Sequence, residues 1–227
     1  MVVMNYLANA LPLNGKTTGQ ISDNLPNLFT PAGITFSIWG IIYLLLAVFC
    51  ILQFTPYARQ TAISAGWIFA LSCVFNAAWI LAWHYEKLPL SLLIMTGLLI
   101  SLVFLNMQIK DQSMGLVKAA FGIYLGWICI ATIANVTAVL VSINWGGFGI
   151  SPVAWAIVMI AAGTLIVSLT LLRLNNPYIG IAVVWAFLGI IIKRQEDYRL
   201  IAVVAALAIL VVGFFTFMVF LGRERRG

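Results

Sequence analysis

The chain has 227 residues, of which 63% are hydrophobic and 8% are charged, and its formal net charge is +6. A water-soluble domain carries about 25% charged residues, so this composition excludes a soluble globular protein and predicts an integral membrane protein. The basic residues lie in predicted loops and at the C-terminus. Their position indicates membrane topology and contact with lipid headgroups, and we expect no nucleic-acid partner.

The N-terminal segment Met1–Leu11 is apolar, but as a helix it would reach only about 17 Å, half the thickness of a bilayer. We interpret it as the inner half of a first spanning helix that is short or whose beginning is missing. Residues 13–30 form the longest polar stretch and contain Gly15, Gly19 and Pro26. This composition predicts either a plain connector or a lid over a binding site.

The next segment contains no charged residue from Ala32 to Gln53, and as a helix of roughly 33 Å it can cross a bilayer. Pro31 is interpreted as its first residue, because proline is tolerated in the first turn of a helix. Phe36, Trp39 and Tyr43 recur at helical spacing, so one face of this helix is predicted to be aromatic.

Further apolar segments predict spans at residues 61–84, 88–109, 117–143, 152–172, 177–192 and 200–221, after the span at 32–54. With the N-terminal segment they make eight helices, and the helix at 177–192 is short enough that it need not cross fully. Alternating loops place seven Lys and Arg residues on the side of the C-terminus and five on the other. The difference favours a cytoplasmic C-terminus.

All six acidic residues lie in predicted loops or helix ends, which argues against a proton-driven pump or a channel with a charged filter. The sequence contains no carboxylate pair and no catalytic triad pattern, so it favours a binding protein over an enzyme. The three cysteines lie inside apolar runs, and the one histidine, His84, is placed at an interfacial helix end. No metal site is therefore predicted, and no cofactor is required.

The predicted membrane interior contains aromatic and amide side chains arranged in stripes. Together with Trp39 and Tyr43, the residues that share faces of two later helices are Asn76, Trp79, Trp83, Tyr124, Trp127, Ala131 and Asn135. They could line an uncharged cavity for a large, planar, lipophilic ligand. The alternative is that the tryptophans only fill the core and the asparagines only hold helices together.

A pair of glycines, Gly122 and Gly126, lies on the opposite side of the helix at 117–143. Such a pair permits close approach of another helix or of a second protomer. A homodimer through this face is therefore one expectation.

Three of these stretches resemble motifs of the tryptophan-rich sensory protein / translocator protein family, TspO/MBR. The run TPAGITFSIWGIIY, with Trp39 and Tyr43, is similar to the start of the family's second helix. FNAAW through Trp83 is similar to its third helix, and IYLGW through Ala131 and Asn135 to its fifth.

The resemblance implies an all-α transmembrane bundle with a five-helix core at residues 1–145, in a membrane that we expect to be the bacterial cytoplasmic one. Residues 146–227 then add about three helices outside the five-helix pattern. It also implies that Trp39, Asn76, Trp127 and Ala131 line a pocket for a porphyrin or another lipophilic molecule, beneath the loop that joins the first two helices.

Three functions stay open from the sequence. The first is a sensory or translocating receptor that binds a tetrapyrrole-like molecule. The second is a small-molecule transporter completed by the extra helices. The third is a light-dependent porphyrin-degrading activity, which the resemblance implies through Trp39 and Trp127.

Overall fold

The computed structural model describes residues 1–10 and 13–224 of the chain. These residues form nine α-helices and no strand, so the predicted all-α class is confirmed. The helices are α1 Val2–Ala10, α2 Thr18–Asp23, α3 Ile38–Leu52, α4 Pro56–His84, α5 Leu88–Gln108, α6 Leu116–Ser142, α7 Pro152–Leu174, α8 Tyr178–Arg194 and α9 Arg199–Glu224. Leu11 and the C-terminal Arg225 and Arg226, which entered the predictions above, lie outside the described residues.

Six of the described helical segments are long and apolar enough to cross a membrane: Gly33–Leu52, Pro56–His84, Leu88–Gln108, Leu116–Ser142, Pro152–Leu174 and Arg199–Gly222. The prediction of a polytopic membrane bundle is confirmed. Helix α8 has 17 residues and reaches about 26 Å, so it is shorter than the other C-terminal helices, as predicted. Helix α1 has 9 residues and covers about half a bilayer.

The helix starts follow local rules with one exception. Proline occupies the first turn of α4, α5 and α7, where its missing N–H costs no hydrogen bond. Pro31, however, does not begin a helix, and the prediction that it does is wrong. Ala32 is extended and donates its N–H to the carbonyl of Gly189 in α8, 3.0 Å away. The helical backbone starts one residue later, as a 3₁₀ turn at Gly33–Ser37.

The central helix of the bundle is α6, which packs against α3, α5, α7 and α8. Helix α4 packs on α5, and α9 packs on α7 and α8. Two C-terminal helices, α7 and α8, therefore contact the same central helix as α3 and α5. Large apolar side chains on the outer faces are exposed, among them Trp67 and Leu93, as expected for surfaces that face lipid.

The glycine pair of α6, Gly122 and Gly126, contacts residues of the same chain at the start of α8 and just before it. A Cβ atom at Gly122 would lie 2.7 Å from the side-chain amide of Asn176, and one at Gly126 would overlap the carbonyl oxygen of Ile179. These glycines thus permit α8 to approach α6 closely. The face that the sequence offered for a homodimer is covered by a helix of the same chain, which corrects that expectation.

Two charged or ionisable side chains are more deeply placed than the sequence suggested. Lys118 belongs to α6 and is fully buried, with its ammonium donating to the carbonyls of Lys110, at 2.6 Å, and Asn175, at 3.1 Å. A cation next to carbonyls at helix C-termini is favoured by the helix dipole. His84 is the last residue of α4, at a helix end as predicted, and it is also fully buried, with Nδ1 2.8 Å from the Ile80 carbonyl.

Candidate functional site

Three tryptophan-bearing helices, α3, α4 and α6, face one another inside the bundle. Trp39 of α3 stacks on Trp79 of α4, with ring centroids 6.1 Å apart. It also meets Trp127 of α6 edge to face at 6.2 Å, and Trp79 stacks on Trp83 at 5.7 Å. All four rings are at most 5% exposed. The stripes therefore turn inward towards each other, as the sequence predicted.

Both asparagines of the stripes are buried and hydrogen-bonded. Asn76 accepts a hydrogen bond from the Tyr43 hydroxyl at 3.3 Å and donates one to the Tyr124 hydroxyl oxygen at 2.9 Å. Asn135 accepts from Trp79 Nε1 at 2.9 Å and donates to Ser91 Oγ at 3.0 Å. A buried amide is costly unless it is paired in this way, so the two asparagines join helices α3, α4, α5 and α6. Ser91 was not singled out from the sequence.

The predicted site residues fall into two groups. Trp39, Trp79, Trp83, Trp127, Ala131 and Asn135 line a common hollow, which is also lined by Thr18, Ser22, Pro31, Phe36, Ile130 and Ala134. Tyr43, Asn76 and Tyr124 are not in its lining. They lie behind Trp39, since Tyr43 stacks on it at 5.5 Å and Tyr124 meets its ring edge to face at 6.0 Å. These three residues therefore support the wall of the hollow.

The hollow itself is nearly filled. Its volume is about 30 Å³, room for about one or two water molecules, whereas small-molecule sites have volumes of about 300–1,000 Å³. The expectation of a ready cavity for a large planar ligand is wrong for this conformation. The reason is that Phe36 packs against Trp127, with ring centroids 5.8 Å apart, while Thr18 and Ser22 close the hollow from above.

Three polar atoms on residues that line the hollow are buried without a hydrogen-bond partner among the described residues: Trp39 Nε1, Trp127 Nε1 and Thr18 Oγ1. Leaving a buried donor unpaired costs about 1–3 kcal/mol, and such groups are uncommon in folded proteins. The two indole N–H groups are donors. The hollow can therefore offer hydrogen bonds to a molecule that carries acceptor atoms.

The roof of the hollow is a lid, defined here as residues 13–31. It was predicted as a connector or a lid, and it contains a short helix, α2, that was not predicted. Thr17 caps α2, accepting from the Gln20 N–H while its own N–H donates to the Gln20 side chain. This capping box is readable in the sequence as Thr17 followed three residues later by Gln20.

One side of the lid is held by the end of α4. The carbonyl of Thr18 accepts from Trp83 Nε1 at 3.3 Å, and Asn14 donates to the His84 carbonyl at 3.1 Å. Lys16 forms an ion pair with Glu86 at 2.6 Å. These contacts seat the lid directly over the tryptophan stripe of α4.

The other side of the lid is held by α8. Lys193 pairs with Asp23 at 2.5 Å, and the Arg194 guanidinium donates to the Asn27 carbonyl at 2.6 Å and to the Leu28 carbonyl at 3.2 Å. Trp185 Nε1 donates to the carbonyl of Thr35 at 2.9 Å, just beyond the lid. No pattern in the sequence indicates that α8 reaches the lid.

The model of a family described as TSPO-like protein matches residues 1–219, which spans both parts of the predicted division at residue 145. No curated protein and no solved structure matches the chain.

Proposed function

The chain belongs to the TSPO-like protein family, and from this premise we propose that it binds a porphyrin or another lipophilic small molecule between its tryptophan stripes, beneath the lid. The family and the membrane-spanning helices establish a membrane protein of the TspO type. The nature of the ligand is the proposal.

One observation carries this proposal: Trp39 and Trp127 meet at the closed hollow with both indole N–H groups unpaired among the described residues. Flat aromatic surfaces suit a planar apolar molecule, and the two donors suit acceptor atoms on it. Placing such a molecule between the rings restores the hydrogen bonds that the closed state lacks, which offsets part of the cost of opening.

Binding requires the lid to lift, because about 30 Å³ is far below the volume of a bound small molecule. The lid is attached by polar contacts at its two sides, including the ion pairs of Lys16 and Lys193, whose side chains are 40% and 25% exposed. Its Ile21 and Phe29 are also buried in the apolar core. Exposed ion pairs contribute little stability, so the main cost of opening is the withdrawal of these two apolar side chains from the core.

The proposal is tested by titrating the purified protein with protoporphyrin IX while following the quenching of its tryptophan fluorescence. The double variant Trp39→Phe with Trp127→Phe keeps an aromatic ring at each position but removes both indole N–H donors. It should weaken saturable binding by about tenfold, since each hydrogen bond contributes about 0.5–1.5 kcal/mol. Trp67→Phe is the control, since Trp67 is 76% exposed on the outer face of α4. An unchanged dissociation constant in a folded double variant would place the binding elsewhere and contradict the proposal.

A further inference from the structure

Two cavities adjoin at the lid end of the bundle, outside the tryptophan hollow. One has a volume of about 330 Å³ and the other about 310 Å³. They share four lining residues, Pro26, Asn27, Leu28 and Pro152. The two cavities therefore form one groove, called here the lid-end groove, between the lid, the start of α7 and the ends of α6 and α8.

The larger chamber of the lid-end groove is apolar and aromatic. Trp145 and Trp155 line it with ring centroids 5.1 Å apart, and Leu140 and Met159 add aliphatic surface. Trp155 Nε1 donates to the Gly147 carbonyl at 2.9 Å, which fixes the orientation of its ring. The chamber lies where the α6 span ends and the α7 span begins. This is the depth at which tryptophans meet lipid headgroups and the first part of the acyl chains.

The smaller chamber is basic. Its lining contains two cations, Lys193 and Arg194, and one carboxylate, Asp23. Lys193 pairs with Asp23, whereas the described hydrogen bonds of Arg194 go to the uncharged carbonyls of Asn27 and Leu28. The ion pairs of the described residues do not include Arg194. Arg194 therefore has no carboxylate within ion-pair distance among the described residues, although Asp23 and Asp197 lie near enough to act on it electrostatically. Its guanidinium has five N–H donors in all.

We propose that the lid-end groove binds an anionic phospholipid of the surrounding membrane, with acyl carbons against Trp145 and Trp155 and the phosphate beside Arg194. The two chambers match the two parts of such a lipid, an apolar chain and a negative headgroup, in the order in which they occur at the interface. Arginine suits the phosphate because its planar fork presents paired donors. The site is distinct from the tryptophan hollow.

The test is native mass spectrometry of the purified full chain in detergent, with phosphatidylglycerol and phosphatidylcholine of matched acyl chains added in equal amounts. The wild-type chain should retain phosphatidylglycerol in preference. Arg194→Gln should weaken that retention about fivefold, the order expected for one basic side chain beside an anionic headgroup. Lys87→Gln is the matched control, because Lys87 is exposed at the same end of the bundle and does not line the groove.

A second pair of variants leaves the cations and the lid contacts in place. Met159→Trp fills the apolar chamber and should reduce retention of both lipids, whereas Val158→Trp, at an exposed neighbouring position of α7, should not. Equal retention of the two lipids by the wild-type chain would overturn the proposal, and so would undiminished retention by Met159→Trp. Neither variant alters the tryptophan stripes, so porphyrin titration of the same samples separates this site from the proposed ligand site.

Discussion

The tryptophan side chains of the bundle divide into those whose indole N–H has a partner and those whose N–H has none in the described residues. Trp79, Trp83 and Trp185 donate to Asn135, Thr18 and Thr35 respectively. Trp39 and Trp127 are as deeply buried as Trp79 and Trp83 but have no partner there. At the residue scale, the buried tryptophans without a described partner are thus the two whose rings meet at the hollow, which is why they anchor the proposed site.

The side-chain amide of Asn135 is expected to contribute to the stability of the bundle. Asn135→Ala removes the partner of Trp79 Nε1 and of Ser91 Oγ, and we expect it to lower the free energy of unfolding by about 1 kcal/mol, the scale of polar contacts between membrane helices. Thr132→Ala is the control, because its hydroxyl bonds only within its own helix, to the Ile128 carbonyl. Chemical unfolding in detergent measures both. Equal stability of the two variants would contradict the assigned role of Asn135.

At the scale of elements, the contact between α6 and α8 depends on glycines, which have no side chain. Helix α8 lies so near α6 that a Cβ at Gly126 would overlap the backbone of Ile179. Backbone cannot move aside as the end of a flexible side chain can, so the space must come from separating the helices. The same approach brings Lys193 and Arg194 at the end of α8 to the lid. The α6–α8 contact therefore sets the position of the lid.

Gly126→Ala should destabilise the protein by about 1–3 kcal/mol, the usual cost of overpacking. Gly40→Ala in α3 is the matched control, because a Cβ there meets nothing within 4 Å, and it should stabilise the helix by up to about 1 kcal/mol. Thermal unfolding of both variants in the same detergent gives the comparison. Finding the two substitutions equally tolerated would mean that α6 and α8 are not in this close contact.

At the scale of the whole molecule, the C-terminal region is connected to the candidate site through helix α8. Helix α8 packs on the central helix α6 and fastens the lid through Lys193 and Arg194. Its Gly189 carbonyl also accepts from the N–H of Ala32, just after the lid. The lid in turn closes the hollow with Thr18 and Ser22. A chain of direct contacts thus joins the C-terminal region to the tryptophan stripes.

Loosening this attachment should change how fast a ligand enters. The double variant Lys193→Ala with Arg194→Ala removes one ion pair and three hydrogen bonds to lid carbonyls. We expect quenching by protoporphyrin IX to proceed at least about tenfold faster, since each lost contact contributes about 0.5–1.5 kcal/mol. Lys87→Ala, an exposed lysine at the same end, should leave the rate unchanged. Stopped-flow fluorescence measures it, and equal rates in the two variants would show that α8 does not hold the lid closed.

Local patterns decided most of the fold. Apolar runs of spanning length located α5 and α7 closely, because hydrophobicity is a property of a single segment. Helix α4 begins at Pro56, earlier than the predicted residue 61, because the polar residues of its first turns are typical of a loop. Helical spacing of Trp and Asn identified the inward faces of α3, α4 and α6, because a buried amide needs partners whatever surrounds it. The capping box at Thr17 is also a local pattern and indicates the start of α2.

What the sequence determined by itself is therefore the membrane location, the approximate spans and the stripes that face inward, since these depend on hydrophobicity and on the helical period. Only the tertiary structure decided that the hollow is closed to about 30 Å³, that Gly122 and Gly126 receive α8, and that α8 holds the lid. Each of these depends on contacts between segments that are distant in the sequence, such as those of Asp23 and Lys193. The choice of partner at such distances depends on how whole helices pack, which no local pattern records.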